Sequence, residues 1–217
     1  MNRAGKGGGF LGKGRIETLT DGIFAIAMTL MVLDMKVPHI PKGVEQAALE
    51  FRVFDLWPKF LIYMLSFVIL AIFWVSHSIQ FHYIRRADRA LFWINVPFMM
   101  LVAFLPFSTH LLSEHISQRF AVIFYGCHLT AIWVSLYFQW RYATTGRRLV
   151  DDDIDPGIVR AAAMRILIAP LIYLLAIGVS FLSTGISIAL YTIIVILHIL
   201  PGRIDRFMAS PKNTGAE

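Results

Sequence analysis

The chain has 217 residues, of which 57% are hydrophobic and only 16% are charged, with a formal net charge of +6. Soluble globular domains average about 25% charged residues and lack long apolar runs, whereas several such runs follow one another here. The composition therefore excludes an ordinary soluble domain and predicts an all-α integral membrane protein, in which the excess of Lys and Arg is a topological signal and not a nucleic-acid-binding surface.

Six apolar segments are predicted to cross the membrane, in the order 17–36, 57–84, 90–112, 119–141, 163–183 and 185–201. We assign residues 15–203 to one six-helix transmembrane domain. A flexible basic tail is predicted for residues 1–14 and a cytoplasmic tail for residues 204–217. The Lys and Arg residues are distributed unevenly between the two sides of this topology, with 15 of the 20 on the side of both termini. Because positive residues are enriched in cytoplasmic segments, both termini are predicted to lie in the cytoplasm.

The first span, "RIETLTDGIFAIAMTLMVLDMKVP", has an uninterrupted apolar run only from Gly22 to Leu33. A helix of about twelve residues rises about 18 Å, which is less than the roughly 30 Å of a bilayer core. Charged residues flank this run at both ends. Such a helix is tolerated at membrane depth when protein or water surrounds it. We therefore expect the first span to lie at the centre of an assembly.

One face of this span carries a stripe of residues that lie within about 60° of Ile26 on a helical wheel. These residues are Gly22, Ile26, Thr29, Leu30 and Leu33. The opposite face carries bulky residues suited to packing, namely Phe24, Met28, Met31 and Met35. Because both faces are apolar, periodicity alone leaves two interpretations open: a stripe that lines a lumen, or a buried helix with no special face.

The start of this span resembles a known signature. Arg15-x-x-x-Leu19-Thr20-Asp21 is similar to the Arg-x-x-x-Phe-Ser-Asp motif that opens the first helix of transmembrane protein 175, the endolysosomal potassium channel, and its bacterial homologues. Thr20 keeps the hydroxyl of the family Ser. Leu19 lacks the aromatic ring of the family Phe, so looser packing is expected at this position.

Further matches to this family lie in the second and third spans, at Trp74-x-x-His77, Asp88, Asn95 and the segment "FLPF" from residue 104 to 107. The resemblance implies a homotetramer in which four six-helix subunits surround a central pore lined by the first helix. Rings of branched apolar side chains constrict that pore, and the family has no TVGYG carbonyl filter.

Transferred position by position, the resemblance places the constriction on Ile26, Leu30 and Leu33, with Thr29 on the adjoining stripe. It implies a potassium-favouring cation channel, with K⁺ and other monovalent cations as permeant ions. The implied partners are the lipid bilayer and the other subunits, with no nucleic acid and no cofactor. The implied location is a bacterial plasma membrane.

Polar residues of three spans are predicted to lie at a similar depth on the cytoplasmic side of the constriction. They are Arg15, Thr20, Asp21, Trp74, His77 and Asn95. Arg15 and Asp21 are six residues apart, a spacing that does not pair on one helix, so we expect each to contact another helix or subunit. We interpret the set as a structural polar network. A direct role in conduction is the alternative.

Asp34, at the outer end of the first span, has two interpretations. Its carboxylate would raise the local concentration of cations if it lies at a pore mouth. It would instead serve a structural role if it pairs with Lys36 or Lys59.

No metal site or enzyme activity is predicted. The seven histidines are scattered, and the closest pairs are five residues apart, which suits a helical chelate poorly. The acidic run at residues 151–153 follows Arg147 and Arg148, and we expect a solvated loop there. Nucleophile-elbow, Walker and HExxH patterns are absent from the sequence.

Two other classes of function compete with a channel. A proton- or cation-coupled secondary transporter would use Asp21, His77 and Asn95 as a relay. Transporters commonly contain repeated halves and interrupted helices, and neither is evident in this sequence. A membrane scaffold or accessory subunit is also compatible with the composition.

Overall fold

The computed structural model describes residues 12–33, 35 and 53–199. Six long α-helices follow one another in these ranges: α1 Lys13–Leu33, α2 Trp57–Tyr83, α3 Arg89–Glu114, α4 Arg119–Thr144, α5 Pro156–Val179 and α6 Thr184–Ile199. The first five are long and apolar enough to cross a membrane, whereas α6 is apolar but shorter. The predicted all-α fold with six helices is confirmed. Asp34 and the tail predicted for residues 204–217 lie outside the described residues, as does the predicted N-terminal tail up to residue 11.

The first helix begins at Lys13, earlier than the predicted residue 17, because its polar residues continue the helix instead of ending it. Lys13 Nζ lies 3.8 Å from Glu17 Oε1, one turn further on. The hydroxyls of Thr18 and Thr20 each donate to a carbonyl one turn earlier, at 2.9 Å. The 21 residues of α1 therefore rise about 32 Å, close to the thickness of a bilayer core. The expectation of a short helix was wrong: α1 is long enough to span, but its first two turns are polar.

The fifth helix also begins earlier than predicted, at Pro156 instead of residue 163. Asp155 caps it, since Oδ1 of Asp155 accepts a hydrogen bond of 2.7 Å from the backbone N–H of Gly157. Asp at the N-cap followed by Pro at the first helical position is a strong start signal. A count of apolar residues alone overlooks that signal, because the first turns of α5 are only partly apolar.

The fourth helix is the centre of the bundle and packs against both α3 and α5. Its large side chains Tyr125, Trp133 and Trp140 are buried. The first helix packs against α3 and α2, and α6 packs against α5 and α2. Because α1 contacts neighbours on one side only, its opposite face stays uncovered within the subunit.

Short connections distinguish the two ends of the bundle. At the end that we call the inner end, Ile84 pairs with Val150 in an isolated β-bridge, and Ile16 of α1 packs in the same buried cluster. At the outer end, Lys59 Nζ lies 2.5 Å from Glu114 Oε1. Lys59, which the sequence offered as an ion-pair partner of Asp34, thus pairs with Glu114 instead.

Gly126 marks the closest approach of α4 to α5 and α6. A Cβ at this position would overlap the Tyr191 hydroxyl and lie 2.8 Å from Cγ1 of Ile177. That hydroxyl donates to the carbonyl of Val122 at 3.0 Å, so it has little freedom to move. We expect Gly126→Ala to lower the free energy of unfolding by about 1–3 kcal/mol through overpacking.

Thermal unfolding of the purified protein in detergent measures this effect. Gly178→Ala is the matched control, because a Cβ at that position meets no atom within 4 Å. The control should be neutral or mildly stabilising, since Ala favours a helix over Gly. Equal melting temperatures for Gly126→Ala and the unmodified chain would contradict the close packing.

Candidate functional site

The predicted stripe on α1 lies on the face that the subunit leaves uncovered. Ile26, Leu30 and Leu33 are 59%, 44% and 72% exposed. On the opposite face of the same helix, Phe24 and Met31 are each only 2% exposed. A long apolar helix with one buried face and one open apolar face requires a covering that the single subunit does not supply.

The open face of α1 is wider than the predicted stripe, because it also includes Leu19 and Val32. Leu19 lies seven residues before Ile26 and therefore points in nearly the same direction. It is 47% exposed within the subunit, and the looser packing expected from Leu in place of Phe stays a prediction. The spacing of seven residues was a signal that would have added Leu19 to the stripe.

Thr29 lies on the open face beside this stripe. Its hydroxyl contacts the carbonyl oxygens of Ala25, at 3.0 Å, and Ile26, at 2.9 Å. Because the hydroxyl donates its proton back to its own helix, its oxygen lone pairs remain available to accept or to coordinate. The hydroxyl of Thr29 is thus the side-chain oxygen nearest in sequence to the exposed Ile26 and Leu30.

Asn95 connects α1 with α2 at the centre of the predicted polar layer. Its side-chain nitrogen donates to the Thr20 hydroxyl at 2.9 Å, and that hydroxyl donates to the carbonyl of Ile16 at 2.9 Å. Its side-chain oxygen lies 3.2 Å from Nε2 of His77. Because an amide oxygen only accepts, Nε2 of His77 carries the proton in this arrangement. Thr20 and Asn95 are fully buried and His77 nearly so. Because water does not reach them, their polar atoms depend on one another for hydrogen bonds.

Two aromatic rings fix the position of the His77 imidazole. The ring of Phe81 stacks at 4.3 Å between centroids, and the ring of Phe98 stacks at 5.2 Å with an interplanar angle of 4°. Phe98 also contacts Phe24 of α1, at 5.9 Å between centroids. The buried face of α1 and the histidine of α2 therefore share one packing partner on α3.

Asp21 forms a second, separate contact between α1 and α2. The indole nitrogen of Trp74 donates to Oδ1 of Asp21 at 2.8 Å. This pair lies at the exposed surface of the subunit, whereas the chain from His77 through Asn95 ends at a backbone carbonyl. The three residues of the hypothetical relay thus belong to two distinct hydrogen-bond groups. Arg15 lies on the exposed side of α1, in the first turn of the helix.

Asp88 positions the start of α3, and through it Asn95. Oδ1 of Asp88 accepts a hydrogen bond of 2.7 Å from the backbone N–H of Leu91 as an N-cap. Oδ2 accepts a hydrogen bond of 2.7 Å from the hydroxyl of Tyr142 on α4. Tyr142 was not predicted as a partner of Asp88, and no local pattern indicates it, because the contact joins residues that are 54 positions apart.

The acidic loop after α4 has structural partners. Arg85 Nε lies 2.8 Å from Asp151 Oδ2, and Asp155 caps α5. Over the described ranges, no three residues among His, Cys, Asp and Glu are grouped in a way that would hold a metal ion.

These features define a multi-pass α-helical membrane protein whose first helix joins a buried polar layer to an uncovered apolar face. The model of the family described as endosomal/lysosomal potassium channel TMEM175 matches residues 15–106, which include the polar layer and the stripe. A potassium channel of Chamaesiphon minutus is 37% identical over 190 residues, covering 86% of this chain and 93% of that protein. The chain belongs to the TMEM175 family.

Two further comparisons agree with this assignment. A potassium channel of Streptomyces collinus is 32% identical over 189 residues, covering 85% of this chain and 90% of that protein. The crystal structure of a lysosomal potassium-selective channel TMEM175 homologue from Chamaesiphon minutus superposes with a TM-score of 0.76 at 35% identity, covering 86% of this chain and 95% of that chain. The similarity therefore extends over nearly the whole six-helix fold.

Proposed function

We propose that the protein is a potassium-favouring cation channel in which four copies surround a central pore lined by α1. The observation that carries this proposal is the open apolar face of α1, with Ile26 and Leu33 more than half exposed beside a buried opposite face. One helix cannot enclose a pore, and closed symmetry supplies the remaining walls. The curated relatives from Chamaesiphon and Streptomyces are named potassium channels, which supports K⁺ as the favoured ion.

In this tetramer, Ile26, Leu30 and Leu33 form successive apolar rings that constrict the pore. Such a ring offers an ion no oxygen ligands, so the ion must shed part of its hydration shell to pass. Potassium holds its water less tightly than sodium and crosses at lower cost. The Thr29 hydroxyl oxygens are the nearest replacement ligands, and slight narrowing closes the pore by dewetting.

The part of the open face of α1 that is turned away from Ile26 contacts the neighbouring subunit. Val32 lies about 120° around the helix from Ile26, too far to share the lumen with it. Asp21 and Trp74 lie on this exposed side as well, close to where the next subunit would pack. The polar layer then has a structural role, holding α1 at a fixed rotation so that the apolar rings face the axis.

The inner end of the bundle faces the cytoplasm in this proposal. Of the 20 Lys and Arg residues, 15 lie in segments on the side of the inner end, which the positive-inside rule assigns to the cytoplasm. Both termini then lie on the cytoplasmic side of a bacterial plasma membrane. Residues 15–203 form the channel unit, with residues 1–14 and 204–217 as tails. Asp34, which lies outside the described residues, would belong to the outer pore mouth.

Ion flux from liposomes tests the proposal. The detergent-purified protein is separated by size, and the fraction with four subunit masses is reconstituted with a potassium or a sodium gradient. We expect flux above protein-free liposomes, faster for potassium, and confined to the four-subunit fraction. Flux no greater than in protein-free liposomes under every gradient would remove the channel proposal. Equal flux from a monomer fraction would remove the shared pore.

A further inference from the structure

A cleft of about 380 Å³ lies at the inner end of the bundle, between the end of α4 and the start of α5. Three arginines from three different elements line it: Arg141 on α4, Arg147 in the turn that follows, and Arg160 on α5. Its apolar lining includes Tyr137 and Trp140. The indole nitrogen of Trp140 donates to the carbonyl of Val159 at 3.1 Å, which fixes this wall.

The turn that carries Arg147 has an unusual backbone. Gly146 has φ of 62° and Arg147 has φ of 53°, so two consecutive residues are left-handed. A left-handed conformation is strained for a non-glycine residue, and such strain persists where the surroundings enforce it. The Arg147 guanidinium donates to the carbonyl of Asp152, which holds the side chain beside the cleft.

The cleft carries positive charge that the neighbouring acids do not neutralise. Among the described residues, no acidic side chain lines it. Within the part of the chain that the structure describes, the ion pairs shown are Lys13–Glu17, Lys59–Glu114 and Arg85–Asp151, and none includes a cleft arginine. Asp155, just before α5, is the carboxylate nearest in sequence to Arg160, and it caps that helix. An anion with several oxygens would therefore complete the site.

The surface beyond the cleft is apolar and faces the surroundings of the subunit. Met164 and Ile168 follow Arg160 on the same face of α5, at successive turns, and are 55% and 49% exposed. In a membrane, this face contacts acyl chains at a depth where the arginines reach the headgroup layer.

We propose that the cleft binds the phosphate headgroup of an anionic phospholipid from the cytoplasmic leaflet, with an acyl chain along Met164 and Ile168. The assignment to the cytoplasmic leaflet depends on the topology given under Proposed function, whereas the binding of the lipid does not. The surface favours a lipid over a free phosphate, because the positive cleft continues directly into an exposed apolar face. Basic pockets between membrane helices at this depth suit such headgroups.

Native mass spectrometry of the delipidated full-length protein measures the binding of the first added lipid. The probes are phosphatidylglycerol and phosphatidylcholine, with glycerol 3-phosphate as the soluble anion. We expect phosphatidylglycerol to bind more tightly than phosphatidylcholine. Each arginine near an anionic headgroup contributes about fivefold in affinity. The double variant Arg141→Gln with Arg160→Gln should therefore lower the affinity for phosphatidylglycerol by about 25-fold. Binding of phosphatidylcholine should weaken much less, because its choline cation offsets the charge of its phosphate.

Two controls separate the cleft from general surface charge. Arg86→Gln with Arg89→Gln removes the same charge at the inner end but away from the cleft. Arg148→Gln changes an arginine that stacks over Tyr142 at 4.8 Å and lines a second cleft, between α3 and α4. Arg141 lines both clefts, so Arg160→Gln alone, which changes only the first cleft, should also weaken phosphatidylglycerol binding. Both controls should retain phosphatidylglycerol binding. An equal loss in either control, or unchanged binding in the Arg141 and Arg160 variant, would overturn the proposal.

Two further measurements keep the outcome decisive. If the double variant fails to fold, Arg160→Gln alone is compared with Arg160→Lys, which keeps the charge and should retain most of the binding. Equal weakening by these two single variants would overturn the role of charge. Competition by glycerol 3-phosphate at the concentration of the lipid would assign the cleft to a soluble anion instead. A protein that binds the lipid but conducts no ions would refute the channel alone.

Discussion

Ile26→Asn is expected to raise single-channel conductance and to bring the preference for potassium over sodium close to unity. In the proposed tetramer, four Ile26 side chains form an apolar ring, and their exposure of 59% within the subunit leaves them free to face the axis. Asn is smaller and polar, so the ring widens and retains water. The energetic difference between dehydrating potassium and sodium then no longer limits passage.

Planar-bilayer recordings with asymmetric potassium and sodium measure both quantities. Leu30→Asn and Leu33→Asn should change conductance and preference in the same direction, because both side chains belong to the exposed stripe. Met28→Asn is the matched control on the same helix. Met28 is half-buried and packs against the core, so its substitution should reduce stability while ion preference stays unchanged.

The comparison between Ile26 and Met28 decides the orientation of α1. Equal effects from Ile26→Asn and Met28→Asn would mean that the stripe is not the pore wall. Unchanged conductance in all three stripe variants would place the constriction elsewhere. A larger preference for potassium in Ile26→Asn would contradict selection by partial dehydration.

Part of this site was predictable from local sequence, because helical periodicity alone fixes which residues share a face. Ile26, Leu30 and Leu33 were predicted on one stripe, and the structure leaves that face open. The start of α5 was missed although Asp155 and Pro156 indicate it locally, since an apolar count does not register a capping motif.

The contacts of the polar layer were not predictable to the same degree. The sequence placed Thr20, His77 and Asn95 at a similar depth, but depth does not specify partners. Thr20 and Asn95 are 75 positions apart, and their contact depends on how α1 and α3 cross. The same holds for Tyr142, which supports Asp88 from α4. Long-range pairing of this kind is a property of the packed bundle and leaves no periodic signal in one chain.

Asn95→Leu is expected to destabilise the assembly without changing ion preference. Asn95 is fully buried and contacts two polar groups, the Thr20 hydroxyl at 2.9 Å and Nε2 of His77 at 3.2 Å. Leucine has no atom that accepts from His77, so one buried N–H is left without its partner. An unsatisfied buried donor costs about 1–3 kcal/mol, which should lower both the melting temperature and the yield of tetramer.

Thr20→Val completes a double-mutant cycle, because valine keeps the branched shape and removes the hydroxyl. Since the two residues share a hydrogen bond, the combined variant should be less destabilised than the sum of the two single variants. Asp21→Ala, which removes the separate contact with Trp74, should likewise reduce tetramer yield more than it alters ion preference. Trp74→Phe removes the indole donor together with the five-membered ring that carries it, but keeps an aromatic ring and leaves the Asp21 carboxylate in place, so it should have a smaller effect.

A structural role and a role in conduction predict different results for these variants. A structural network changes stability and assembly, whereas a conduction element changes permeability in an assembled channel. Intact tetramers of Asn95→Leu or Asp21→Ala with altered selectivity would therefore assign the polar layer to the ion pathway. Reduced assembly with unchanged selectivity in the surviving tetramers is expected, because Asn95 contacts α1 through Thr20, whereas in the proposed tetramer Ile26, Leu30 and Leu33 face the ion.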